Sequence, residues 1–417
     1  MPTKTTDAAR DALVAALGAD RVRPAAEADE IAGVRPQWVA SVEDTAQTAT
    51  AMKIAYEHEL RVVPKGSGSK LDWGAPPQEV DLLLDLSPAN QVIEHAAGDL
   101  VVRALAGTPI ADINAVVGQG GQQLAIDQPL PTATVGGVVA TATSGPGRHL
   151  FGGVRDLLIG ITVVLADGTV TTAGGKVVKN VAGYDLGKMY TGSFGTLGVI
   201  TEAVFRLHPV AAEHRWISVT SPTPAEAVAA ADIIRTSQAM PTAIEIDRPR
   251  SDGSLTVCAQ LEGRPSVTQA RALELAATVG DDAEVSEKPP SWWGQQAFEP
   301  AGTGLRVGAE PAAMRGLLES IAECAGDLPV LVRGAVGLGA LHLGLPAAAE
   351  ATAIAEFVGK LRDRSEYAVV ECAPRAVLDL VDPWGPVAPG VQTLMRRSKD
   401  QFDPQHRLAP GRFVGGI

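Results

Sequence analysis

Residues 129–153 read PLPTATVGGVVATATSGPGRHLFGG, and this stretch decides the fold. It is apolar yet dense in Gly, Thr and Ser. Glycine weakens the interior of a strand or helix, so a cluster of them needs a physical reason. One reason is a large ligand lying against the main chain. Gly136, Gly137, Gly145 and Gly147 then have no Cβ to hold it away, and Thr134, Thr141 and Ser144 offer hydroxyls to it. The other reading is a set of tight turns between packed strands.

Upstream, the apolar run Leu60–Pro64 predicts a short strand that delivers the loop Lys65-Gly66-Ser67-Gly68-Ser69-Lys70. Alternating Gly and Ser let successive amide N–H groups point into one concavity, with hydroxyls and lysine charge beside them. Pyrophosphate is the guest such a nest suits. The loop is neither a Walker A sequence nor a GxGxxG fingerprint. Taken alone, it is equally consistent with a flexible surface turn.

Working outward, the chain has 417 residues, a net charge of −13, 46% hydrophobic and 20% charged residues. That length predicts more than one folded unit. The acidic balance argues against non-specific nucleic-acid binding. No apolar run reaches the roughly 20 residues that span a bilayer, and the first 20 residues lack a signal-peptide layout. Cys258, Cys324 and Cys372 stand too far apart for a disulfide framework or a CxxC metal site. The expectation is a cytoplasmic chain with free thiols, reaching a membrane only through a partner.

Periodicity predicts helices at Asp7–Leu17, from Val42 to Glu59, and at Ile110–Val117. Strands are predicted at Trp38–Ala40, Leu82–Leu86, Val92–Ala96 and Leu100–Ala106. Ile159–Ala173 reads as a hairpin turning at Asp167-Gly168. Gly183–Tyr190 reads as a short helix and Val199–Leu207 as a strand. After Pro209 helices and strands alternate regularly, which predicts an antiparallel sheet with helices on one face. Val391–Phe402 reads as a final helix before a Pro- and Arg-bearing tail.

Three segments together, VPKGSGSKLDWG, PTATVGGVVATATSGPGRHLFGGVRDLLIG and AGYDLGKMYTGSFGTLGVITEAVFRLHP, resemble the FAD-binding module of the vanillyl-alcohol-oxidase/p-cresol-methylhydroxylase (PCMH) type. Within that superfamily, with the terminal FDPQHRLAPGRFVGGI, the chain is most similar to the FAD-binding subunits of bacterial glycolate oxidase. The resemblance implies an α+β fold: a two-subdomain PCMH-type module over residues 35–211, after an N-terminal helical segment at 1–34. A cap domain with an antiparallel sheet would follow over 212–389, and a C-terminal segment, 390–417, would return to the FAD module. It implies that Pro64, Lys65, Gly66, Ser67, Gly68, Ser69 and Lys70 hold the pyrophosphate. Thr134, Gly136, Gly137, Thr141, Ser144 and Gly145 would line pyrophosphate and flavin. Gly152, Arg155 and Asp156 would continue the strip, and Val199 and Ile200 would match the segment whose backbone meets the adenine end. Ser69-Lys70 stand where some relatives carry a flavin-linking His, so FAD is expected to be non-covalent.

The same likeness directs attention to catalysis. Relatives that oxidise D-lactate or glycolate carry a segment resembling HxGDGNLH. Here residues 333–342 read RGAVGLGALH, with one histidine and no adjacent carboxylate, so no metal site is expected. His342 as base, Arg333 as carboxylate clamp and Arg412 as a charge beside the flavin are the catalytic candidates, with Arg306 a further clamp. For each the alternative is a packed or solvated residue. The expected function is an FAD-dependent oxidoreductase subunit acting on glycolate or a related D-2-hydroxy acid, beside a homologous flavoprotein subunit and an iron–sulfur subunit. The alternatives are an electron-relay or assembly subunit, and an autonomous dehydrogenase of another alcohol or sugar acid.

Overall fold

The computed structural model describes residues 4–176, 184–249 and 253–417. The chain forms two compact units. One comprises Met1–Thr143, Gly153–Pro209 and Pro386–Ile417, and the other Ser144–Gly152 and Val210–Gly385.

The first unit is built on two sheets. β1 (Val22–Pro24), β2 (Trp38–Ser41), β3 (Val62–Lys65) and β4 (Leu82–Asp85) lie in the order β1-β2-β4-β3. β4 runs parallel to both β2 and β3 and is buried along its length, which is why it reads LLLD rather than alternating. The crossover from β2 to β3 is the helix Thr45–Glu57. It begins at Thr45, not at Val42, because Asp44 is its N-cap and accepts from the Gln47 amide at 2.7 Å. The C-terminal tail extends this sheet past β3. Val62 N donates to Arg407 O and Ala409 N to Val62 O, both at 2.8 Å.

The second sheet holds β5 (Val92–Ala96), β6 (Val101–Leu105), β8 (Leu158–Val164), β9 (Val170–Gly174) and β10 (Val199–Arg206) in the antiparallel order β5-β6-β10-β8-β9. Two short strands, β7 (Gln122–Gln123) and β11 (His208–Pro209), pair beside it. The β8–β9 hairpin turns at Asp167-Gly168 as its sequence predicts. The helix predicted from Gly183 is shorter, Gly187–Tyr190, and Gly183 itself lies outside the described residues.

The glycine-rich stretch contains a helix, Val135–Thr141, where no element is predicted. Tertiary contacts override the poor propensity of its paired glycines. Val135, Val138 and Val139 are fully buried. Gly136 N donates to Ala106 O at 2.8 Å, and a Cβ on Gly136 would lie only 3.0 Å from the Ala106 Cβ. Close approach to the residue after β6 favours glycine here.

The second unit is an eight-stranded antiparallel sheet: β12 (Glu213–Ser221), β13 (Ala243–Arg248), β14 (Leu255–Gly263), β15 (Glu284–Ser286), β16 (Thr303–Gly308), β17 (Leu331–Ala335), β18 (Ala340–Leu345) and β19 (Tyr367–Cys372). Its order is β15-β12-β14-β13-β17-β18-β16-β19. Side chains alternate across each strand. Ile217, Ile244, Ile246, Val257, Leu305, Val307, Leu341 and Leu343 form one core with the buried faces of the helices Pro224–Thr236, Pro265–Val279, Met314–Ala325 and Ala351–Arg362. The intervening positions carry Glu245, Asp247, Arg306, Arg333 and His342 on the opposite face. Among the described residues no helix is long and apolar enough to cross a membrane, and Cys258, Cys324 and Cys372 are all buried.

Candidate functional site

In the first unit a cleft opens over the end of β3. The loop after β3 lines it from Pro64 through Leu71, the helix Val135–Thr141 supplies Gly136, Gly137, Ala140 and Thr141, and Thr134 caps that helix. The loop is held from below: Lys65 Nζ lies 3.2 Å from Asp85 Oδ2, and Leu86 N donates to Lys65 O at 2.8 Å. Gly68 has φ +81°, a left-handed turn that glycine adopts freely. Among the described residues the amides of Ser67, Gly68 and Ser69 donate to no protein acceptor. They are donors left for a guest or for water. A Cβ on Gly66 would overlap Thr134 Oγ1, so this wall is closed to a larger residue. Thr141 Oγ1 is itself engaged, with Gly137 O at 2.7 Å and Thr143 Oγ1 at 2.6 Å.

Arg412 reaches the same cleft from the tail. It is buried, not a surface residue. Its Nη2 donates to Leu71 O and Trp73 O, each at 2.6 Å, which ties the tail to the glycine loop. Burial pushes the guanidinium down to about 10, against the pull of Asp72.

Of the expected cofactor residues, the cleft gathers Pro64, Lys65, Gly66, Ser67, Gly68, Ser69, Lys70, Thr134, Gly136, Gly137, Thr141 and Ile200. Val199 neighbours Ile200 on β10 and is buried outside the lining, as strand alternation requires. Arg155 and Asp156 are outside it too. Asp156 accepts from the Gly153 amide at 2.9 Å and caps its own turn, Val154–Leu157. Ser144, Gly145 and Gly152 fall in the segment that clusters with the second unit. The residues that sequence reasoning missed are Leu71, Leu86, Ala106, Ala140, Phe194, Gly195 and Gly198. The last three lie in TGSFGTLGV, whose glycine spacing was the available signal.

On the polar face of the second unit's sheet, register aligns one row across neighbouring strands. Asp247 pairs with Arg333, Arg333 with His342 and His342 with Arg306. Arg333 Nε and Nη2 contact Asp247 Oδ1 at 2.7 Å and Nη1 donates to Gln296 O at 2.9 Å. Burial pushes the Asp247 carboxyl up while Arg333 pulls it down. The Arg333 guanidinium lies 5.9 Å from the Trp292 ring centroid, and Trp292, Trp293 and Trp216 continue as an aromatic cluster. The segment of His342 holds no carboxylate, but the fold brings one to it. Glu371 from β19 brings Oε2 to 3.0 Å from Nδ1. That contact depends on strand order and is invisible in the RGAVGLGALH segment.

Comparison with known proteins places this geometry. Residues 36–174 match the family described as "FAD binding domain". Glycolate oxidase subunit GlcD of Bacillus subtilis is 35% identical over 175 residues, 42% of this chain and 37% of that protein. Glycolate oxidase subunit GlcE of Escherichia coli is 37% identical over 157 residues, 37% of this chain and 44% of that protein. The chain thus matches less than half the length of these curated relatives. A structure of p-cresol methylhydroxylase with substrate bound superposes with TM-score 0.75 at 16% identity, covering 99% of this chain and 97% of that one. An alkyldihydroxyacetonephosphate synthase gives 0.74 at 16% identity, covering 99% and 86%. The expected PCMH-type fold, with its tail on the first sheet, is the fold observed. Residues 36–174 of this chain thus match an FAD binding domain, the chain is similar in sequence to glycolate oxidase subunits, and it has the fold of p-cresol methylhydroxylase.

Proposed function

We propose that this chain is an FAD-dependent oxidoreductase that converts a small 2-hydroxy acid to the 2-oxo acid, working with partner subunits in the cytoplasm. The single observation that carries the substrate reading is the row Arg333–His342–Arg306, two cations flanking a base on one sheet face. Unpaired loop amides and glycine-lined walls fit a dinucleotide pyrophosphate, which Gly66 to Lys70 would hold with Thr134, Gly136 and Gly137. Arg412 would place its charge against the bound group. Bound FAD supplies a two-electron acceptor.

The rest falls to the second unit. Arg306, half exposed, receives the substrate carboxylate and fixes its orientation. His342 Nε2 takes the hydroxyl proton, which turns the carbinol carbon into a hydride donor. Trp292 and Trp293 shield this chemistry from water.

A second reading, an electron-relay subunit without substrate chemistry, is favoured by the engagement of Arg333 with Asp247 and Gln296. Anaerobic mixing of the FAD-loaded chain with glycolate or D-lactate separates the two. Rapid loss of the flavin absorbance by this chain alone is expected. No loss with either acid, and recovery on adding partner subunits, supports relay.

A further inference from the structure

Strand β19 carries a β-bulge. Its pairing with β16 steps from Leu305↔Val370 to Gly304↔Cys372, which leaves Glu371 as the inserted residue. Bulges re-aim a side chain. Here the carboxylate reaches two neighbouring strands. Oε2 lies 3.0 Å from His342 Nδ1 on β18, and Oε1 lies 3.9 Å from Arg306 Nε on β16. The Glu371 side chain is 9% exposed and that of His342 is 34%. The buried partner therefore sits behind an imidazole that remains accessible.

We infer that Glu371 is a positioning residue that fixes the tautomer and direction of His342, resting on the reading above of His342 as the base. An ionised carboxylate only accepts hydrogen bonds, so Nδ1 carries the hydrogen. In the neutral ring Nε2 then holds the lone pair, turned away from the carboxylate. The charged groups facing His342 are Arg306 on β16, Arg333 on β17 and Glu371 on β19, with Asp247 on β13 behind Arg333. The same carboxylate draws Arg306 toward His342, so one residue organises base and cation together.

The test is ¹⁵N NMR of the histidine-labelled full chain at mildly alkaline pH, with His342→Gln identifying the signal. In the wild type, Nδ1 is expected protonated and Nε2 bare. Glu371→Gln, whose amide oxygen still accepts, keeps this pattern. Glu371→Leu shifts the ring toward the Nε2–H tautomer and lowers kcat on a reducing 2-hydroxy acid about tenfold or more, with KM changed less. An Nε2–H tautomer in the wild type overturns the inference, as does an unchanged signal in a folded Glu371→Leu chain. Should the leucine variant fail to fold, the wild-type and glutamine spectra decide. The NMR readout needs no turnover: a confirmed tautomer in a chain that no hydroxy acid reduces would sink the proposed function and leave the positioning role standing.

Discussion

Lys399 and Asp403 form an ion pair sealed from solvent, with Nζ 2.7 Å from Oδ2 and both side chains fully buried. Nζ also donates to Thr196 O and Leu408 O, each at 2.8 Å, and Asp403 accepts from the Leu408 amide at 2.7 Å. Burial pulls the Lys399 ammonium below its usual value against the favourable pull of Asp403. The pair anchors the tail that carries Arg412 into the cleft.

Removing one partner should therefore be costly. Lys399→Met leaves an uncompensated buried carboxylate and is expected to lower stability by about 3–5 kcal/mol. Lys399→Met with Asp403→Leu should recover part of that loss. Urea unfolding of the two variants checks the order, and FAD release should track it.

Gly66→Ala tests the cleft wall directly. The new methyl would overlap Thr134 Oγ1, so FAD affinity should fall about tenfold or more, about 1.4 kcal/mol. Thr134→Ala should restore space and part of the affinity. Titration of the apo chain with FAD, followed by flavin fluorescence, gives both numbers.

Arg306→Gln should raise KM for a 2-hydroxy acid by about 10–100-fold, with a smaller change in kcat and none in FAD content. Arg333→Gln should instead lower stability first, because it strands Asp247, buried among its neighbours. Steady-state kinetics alongside thermal unfolding separates the two arginines.

Acid should weaken the fold before the carboxylates titrate. Burial is the main cause that lowers His149, His208 and His214 from 6.5. Groups with a depressed folded value bind more protons when unfolded, so stability is intact above about 6.5 and is lost as pH falls through their lower folded values. Melting temperature should drop across that window, and His149→Gln should make the drop shallower.

Much of the cleft was legible because its donors are local in sequence. The alternation in KGSGSK names the loop whatever lies around it, and the tail motif points to Arg412. The helix Val135–Thr141 was not legible, since two glycines in seven residues oppose helix and tertiary packing, with Val135, Val138 and Val139 buried and Gly136 against Ala106, overrides them. Leu86 and Ala106 enter the lining through strand ends far from the motif. Glu371 was hidden for a different reason. Nothing in the sequence says that β16 lies between β18 and β19, or that a bulge turns this residue toward His342.

The chain passes between the two units after Thr143, Gly152, Pro209 and Gly385. Neither unit is a contiguous cassette. A swap that transplants only Val210–Gly385 from a relative would discard Ser144–Gly152, whose His149 ring packs so tightly against Gly337 that an added Cβ there would lie 3.1 Å from its Cε1. Chimeras meant to exchange substrate preference must carry that splice along with the sheet it packs on.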